Sequence, residues 1–70
     1  MSSKATIISI STANDQDWDC TLHEHRKRLC RYPQKETALD MGRAIAMKRS
    51  PSLLKVFRSD GSLETEEAFE

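Results

Sequence analysis

The sequence predicts a small single α+β domain, with elements in the order β-β-β-α-β-β and one antiparallel sheet packed on one helix. Three observations predict it. An Asp60-Gly61 turn between two apolar segments is typical of a closing β-hairpin. A helical pattern of small and apolar residues precedes this hairpin, and alternating β-branched and apolar segments precede the helix.

The first two strands are predicted from period-2 patterns. Residues 5–12 are β-branched almost throughout, with Ile8 and Ile10 on one face and serines on the other. A turn is predicted at Asn14-Asp15-Gln16. The second strand follows it, and its apolar face carries Trp18, Cys20 and Leu22.

A third strand and a helix follow. The chain turns near His25 and returns as a strand over residues 29–32, which Pro33 ends. Over residues 34–49 a helical face is formed by Ala38, Leu39, Gly42, Ile45 and Ala46. Glycine costs a helix about 1 kcal/mol relative to alanine, so we expect Gly42 to let the helix lie close to the sheet. The helix ends before Ser50-Pro51, because a residue that precedes proline avoids the α region.

The closing hairpin is predicted to have a two-residue turn that places Lys55 opposite Glu66 on one face. Phe57 shares the face of Lys55, away from the helix, and is expected to be partly exposed. The opposite face joins the core through Leu54, Val56, Leu63 and Phe69.

Length and composition narrow the function classes. A 70-residue domain buries about 60% of its unfolded surface and has no room for a deep catalytic cleft, so we expect a protein that is not an enzyme. The first twelve residues are too short an apolar stretch for a signal peptide or a membrane span, and we expect a cytoplasmic protein. In that compartment its two cysteines would remain thiols.

Charge is unevenly distributed along a chain whose net charge is zero. Residues 1–25 carry −3, residues 26–58 carry +8 and residues 59–70 carry −5. The basic segment 26–58 therefore has two interpretations: it binds phosphates, or the acidic segments neutralise it in the fold.

The candidate binding residues are seven cations and one aromatic residue: Arg26, Lys27, Arg28, Arg31, Lys48, Arg49, Lys55 and Phe57. Guanidinium groups can bind a phosphate or an acidic protein surface with two hydrogen bonds. We expect a non-catalytic interaction or regulatory module that binds a protein partner or a second copy of itself through an exposed sheet edge. The alternative is a nucleic-acid-binding module that uses the basic segment. A contiguous basic face would favour nucleic acid, and interleaved charges would favour a protein partner.

Four side chains within eleven residues are of types that bind metals or take part in nucleophilic catalysis: Cys20, His23, His25 and Cys30. Zinc sites use these residue types, but Cys20 and His23 would point to opposite faces of one strand, and the short paired loops of zinc sites are missing. We therefore expect neither a metal nor another cofactor. A cross-strand disulfide between Cys20 and Cys30 is conceivable in an oxidising environment. With only two glycines the chain has no phosphate-binding loop, and no small-molecule substrate is identified.

Three segments together resemble a known family. They are Trp18-Asp19-Cys20, the helix segment 35–46 (KETALDMGRAIA), and the closing Asp60-Gly61-Ser62-Leu63 with Phe69. Over residues 17–69 the chain resembles the short bacterial proteins catalogued as domain of unknown function 2188. The resemblance implies a compact α+β fold and implies no activity.

Overall fold

The computed structural model describes residues 5–12 and 16–70, and these form one sheet and one α-helix. Its elements are β1 (Thr6–Ser11), β2 (Trp18–Leu22), a 3₁₀ turn (His23–His25), β3 (Lys27–Tyr32), α1 (Lys35–Lys48), β4 (Ser52–Phe57) and β5 (Leu63–Phe69). The predicted order β-β-β-α-β-β is confirmed. The turn predicted at Asn14-Asp15-Gln16 lies mostly outside the described residues.

The sheet has the strand order β3-β2-β1-β4-β5. Three pairings are antiparallel, whereas β1 and β4 at the centre are parallel, so the predicted antiparallel sheet is confirmed except at this pair. We call "base" the end of the sheet at which β2 ends and β3 and β4 begin, and "apex" the opposite end. β3 finishes at the apex and α1 carries the chain back to the base, so β4 starts beside the start of β1.

The core lies between α1 and one face of the sheet. Five sheet side chains are fully buried there: Ile8, Ile10, Cys20, Leu54 and Val56. The helix contributes Ala38, Gly42 and Ala46 as its buried residues, and these small side chains allow a close approach. A Cβ placed on Gly42 would lie 2.7 Å from Ile10 Cδ1. This confirms that Gly42 lets the helix lie close to the sheet.

The other face of the sheet, which we call the open face, is not covered by any element of the described residues. Because residues alternate along a strand, the neighbours of the core residues project here, among them Ser9, Lys55 and Phe57. Phe57 is half-buried on this face, as predicted. No helix in the described part of the chain has the length and apolar character needed to cross a membrane.

Two boundaries and one core residue differ from the predictions. β3 begins at Lys27 rather than residue 29, because Lys27 and Arg28 pair with the end of β2. The connection between β4 and β5 spans residues 58–62, longer than the two-residue turn expected, and Gly61 adopts a φ of +92° within it. Leu63 is 45% exposed instead of buried, because the register shifts between Val56 and Phe57 and places Leu63 opposite Phe57.

Candidate interaction surface

Half of the predicted binding residues lie at the base of the sheet. Arg26 follows the 3₁₀ turn and Lys27 opens β3, while Lys48 ends α1 and Arg49 caps it. We call these four exposed residues the basic end. The tight turn is closed by Arg26, whose left-handed backbone (φ 50°) directs its N–H to the His23 carbonyl at 3.3 Å. The last carbonyls of α1 add the negative end of the helix dipole, which favours cations here.

The other four predicted residues belong to the open face and are divided between two strands. Arg28 and Arg31 lie on β3, while Lys55 and Phe57 lie on β4. β2 and β1 separate the two groups. The structure therefore does not bring the eight residues into one contiguous basic surface.

Cations and carboxylates of different elements form ion pairs on both sides of the sheet. On the open face, Arg31 donates to both carboxylate oxygens of Asp19, at 2.7 and 3.3 Å. This pairing lowers the pKa of the Asp19 carboxyl and raises the pKa of Arg31. Lys55 Nζ lies 3.9 Å from the Glu66 carboxylate, which confirms the predicted pair.

The helix is joined to β5 by two further ion pairs. The Arg43 guanidinium lies 2.9 Å from Glu67, and Lys35 pairs with Glu64. The pairing with Glu67 also raises the pKa of Arg43. The acidic C-terminal segment thus neutralises part of the basic segment, and the two charge signs are interleaved across elements.

Six cations have no carboxylate of the described residues within ion-pair distance. They are the four residues of the basic end together with Arg28 and Arg58. All six are exposed, and Arg58 also donates hydrogen bonds to Ser62 Oγ and to the Leu63 carbonyl, both at 3.4 Å. The other five remain available to an external anion.

Apolar side chains also lie on the open face. Ile7 stands directly beside Leu53, which in turn lies beside Ala68, so these three form a row across β1, β4 and β5. Ile7 and Leu53 are half-buried. At the base this row borders a shallow depression of about 450 Å³, lined by Ala5, Pro51, Ser52, Leu53, Ala68, Phe69 and Glu70.

This apolar row was not predicted from the sequence. Its signal was present in β4, where Leu53 and Phe57 alternate with the core residues Leu54 and Val56, so that the strand is apolar on both faces. A strand with two apolar faces indicates a second contact surface when only one helix is available to cover the sheet.

The thiols and imidazoles do not share a solvent-facing site. Cys20 is fully buried, lies opposite Cys30 in the β2–β3 pair, and donates a hydrogen bond to the Ala38 carbonyl at 3.3 Å. Burial, followed by the neighbouring Cys30, raises the pKa of the Cys20 thiol, which disfavours the thiolate that nucleophilic chemistry needs. His23 and His25 are exposed in the 3₁₀ turn.

Within residues 5–12 and 16–70, no group of three or more His, Cys, Asp or Glu side chains is arranged to hold a metal ion. Cys20 and Cys30 are free thiols. Their direct opposition across β2 and β3 agrees with the pairing on which the conceivable disulfide depended.

Comparison with known proteins identifies no relative: no protein-family model matches the chain, and neither a curated protein nor a solved structure is significantly similar to it. The resemblance to domain of unknown function 2188 therefore stays a prediction.

Proposed function

We propose that this protein is a non-catalytic interaction module that associates with another protein chain through its sheet. The supporting observation is the amount of sheet surface left without a partner. α1 covers one face only, and β3 and β5 each pair with a single neighbouring strand of the described fold. An unpaired strand edge presents N–H and C=O groups that another chain can satisfy.

The charge distribution supports a protein partner over a phosphate polymer. Ion pairs on both sides of the sheet, such as Arg31 with Asp19 and Arg43 with Glu67, remove cations from any continuous basic surface. Interleaved charges of both signs provide specificity and register in protein–protein contacts. We therefore regard a self-associating or protein-binding role as the function that the geometry supports best.

This proposal is tested by two-dimensional ¹⁵N–¹H NMR of the labelled protein between millimolar and micromolar concentration. We expect amide shifts that change with dilution and map to the open face or to the strand edges. The proposal would be refuted if the spectra stay unchanged over the whole concentration range and crosslinking also detects no protein partner.

A nucleic-acid-binding role is the second candidate, and a specific observation favours it. The basic end groups four exposed cations whose charge is not compensated by described carboxylates. Phosphate contacts of this kind weaken steeply with salt because counterions are released on binding.

Titration with a mixed oligonucleotide pool, first at low and then at physiological salt, tests this candidate. Nucleic-acid binding predicts shifts confined to the basic end and the adjoining Arg28, and these shifts should fade with salt. They should also be lost in the double variant R26E/R28E. An unperturbed spectrum at low salt would dismiss this candidate.

A further inference from the structure

The two edges of the sheet carry opposite charge. The edge strand β3 presents Lys27, Arg28 and Arg31, and we call it the basic edge. The edge strand β5 presents Glu64, Glu66 and Glu67, and we call it the acidic edge. Three strands separate the two edges, so one copy of the chain cannot bring them together.

Register aligns these charges in rows that cross all five strands. One row, on the open face, runs from Arg28 through Thr21, Ser9 and Lys55 to Glu66. The next row, on the helix side, runs from Lys27 through Leu22, Ile8 and Leu54 to Glu67. Each row begins with a cation at the basic edge and ends with a carboxylate at the acidic edge.

Strand direction is also compatible with joining the two edges. β3 runs from base to apex and β5 from apex to base. A second copy placed beside the first in the same orientation therefore brings its β3 antiparallel to the first copy's β5. Antiparallel edges can pair by the same ladder that joins neighbouring strands within the domain.

We infer that the partner is a second copy of this chain, with the acidic edge of one copy paired antiparallel to the basic edge of the next. This inference rests on the proposed function. With the rows of the two copies level, Glu66 lies opposite Arg28 of the next copy on the open face. On the helix side, Glu67 lies opposite Lys27. Opposite charges that face each other across strands stabilise the pairing.

The same charges select against other arrangements. Two basic edges or two acidic edges would place like charges directly opposite each other, which destabilises strand pairing. Charged side chains on edge strands commonly prevent aggregation. Here they are of opposite sign on the two edges, so they block a symmetric dimer through identical edges and permit the head-to-tail contact.

A head-to-tail contact leaves a new basic edge and a new acidic edge at the two ends of every assembly. Such heterologous interfaces form a ring when the rotation between copies closes, and otherwise they extend as an open assembly. Adjacent strands rotate by about −20 to −25°, so each added copy turns the sheet by roughly 100–125°. Because every assembly keeps two free edges, it should grow as the protein concentration rises. Salt should weaken it by screening the edge charges.

The test is a charge exchange between the two edges. Arg28 has no described carboxylate partner and is exposed, so R28E should leave the fold intact. E66K reverses the opposite member of the same row. Each variant alone should self-associate about 5-fold more weakly than the natural protein. An equimolar mixture should regain association, because the reversed basic edge of one variant faces the reversed acidic edge of the other.

Matched controls reverse charges away from the edges. R49E changes a cation of the basic end and D40K an exposed carboxylate of α1, so each has the same change in net charge as one of the edge variants. Neither control should alter self-association by more than about 2-fold. A second readout is amide hydrogen exchange, in which β3 and β5 should gain protection as the protein concentration rises.

The outcomes separate this inference from the function on which it rests. Recovery in the mixture, with protection confined to β3 and β5, supports the edge pairing. Association that persists unchanged in both variants and perturbs only the apolar row of the open face overturns the edge pairing while the proposed function stands. A protein that remains monomeric at every protein and salt concentration overturns the edge pairing. In that case the crosslinking search for protein partners decides whether the proposed function stands.

Discussion

Substitution of Gly42 by alanine tests the close contact between α1 and the sheet. The added Cβ would lie 2.7 Å from Ile10 Cδ1 and 3.2 Å from Leu54 Cδ1. Both neighbours are fully buried, so neither methyl group can move away without disturbing other core side chains. The backbone of Gly42 is helical, so alanine meets no conformational obstacle other than this contact.

Two effects of opposite sign determine how much G42A changes the free energy of unfolding. Alanine in a helix interior is more favourable than glycine by about 1 kcal/mol. Overpacking a well-packed core costs about 1–3 kcal/mol. We expect overpacking to dominate, so that G42A lowers the free energy of unfolding by about 1 kcal/mol and the melting temperature by about 4–8 °C.

The assay is chemical denaturation at a fixed low protein concentration, followed by fluorescence of the single tryptophan, Trp18. The matched variant is I10V, which removes the methyl group closest to the added Cβ. In the I10V background the same G42A change should no longer destabilise and should gain part of the helix-propensity term. An increase in stability of about 1 kcal/mol on introducing G42A into the natural protein would contradict this expectation, because it would mean that the helix does not lie this close to Ile10 and Leu54.

Three further predictions each concern one residue: Ser52, Asp19 or Gly61. S52A should lower the free energy of unfolding by about 1 kcal/mol in urea denaturation, because the buried Ser52 hydroxyl donates to a helix carbonyl at 2.6 Å; an unchanged midpoint would contradict this. The lowered pKa of Asp19 means that its contribution to stability is present above its unfolded pKa of about 3.9 and is lost as pH falls through the folded value. D19N should therefore be less stable than the natural protein by under about 1 kcal/mol at neutral pH, since the Arg31 partner is largely solvated. That difference should disappear in acid, and one that grows as pH falls would be inconsistent with the pair. G61A should cost about 1 kcal/mol because Gly61 has a φ of +92°, whereas G61N should cost less; equal stability of all three proteins would argue against the turn conformation.

Most of the elements could be predicted because their signals are local. Ile8 and Ile10 indicated the buried face of β1, and the spacing of Ala38, Gly42 and Ala46 indicated the face of α1 that contacts it. The parallel pairing of β1 with β4 was not predicted, since it depends on where α1 returns the chain rather than on either strand alone. Leu63 was misplaced for a related reason, because a register shift in the hairpin changes which face a residue occupies.

The residues of the candidate surface could be predicted from the sequence, but their arrangement in space could not. The cations of the basic segment were identified individually, and the pair between Lys55 and Glu66 followed from hairpin geometry. The row that joins Arg28 to Glu66 could not be predicted, because it requires the register of four strand pairs, including the parallel one. Non-local register of this kind is not encoded by the alternation within any one strand.

Sedimentation velocity over a range of protein concentrations, at low and at physiological salt, is the most direct test of self-association. We expect a weight-average sedimentation coefficient that rises with protein concentration, exceeds the value of a dimer, and falls when salt is added. A single monomeric species at every concentration and in both buffers would contradict the proposed self-association.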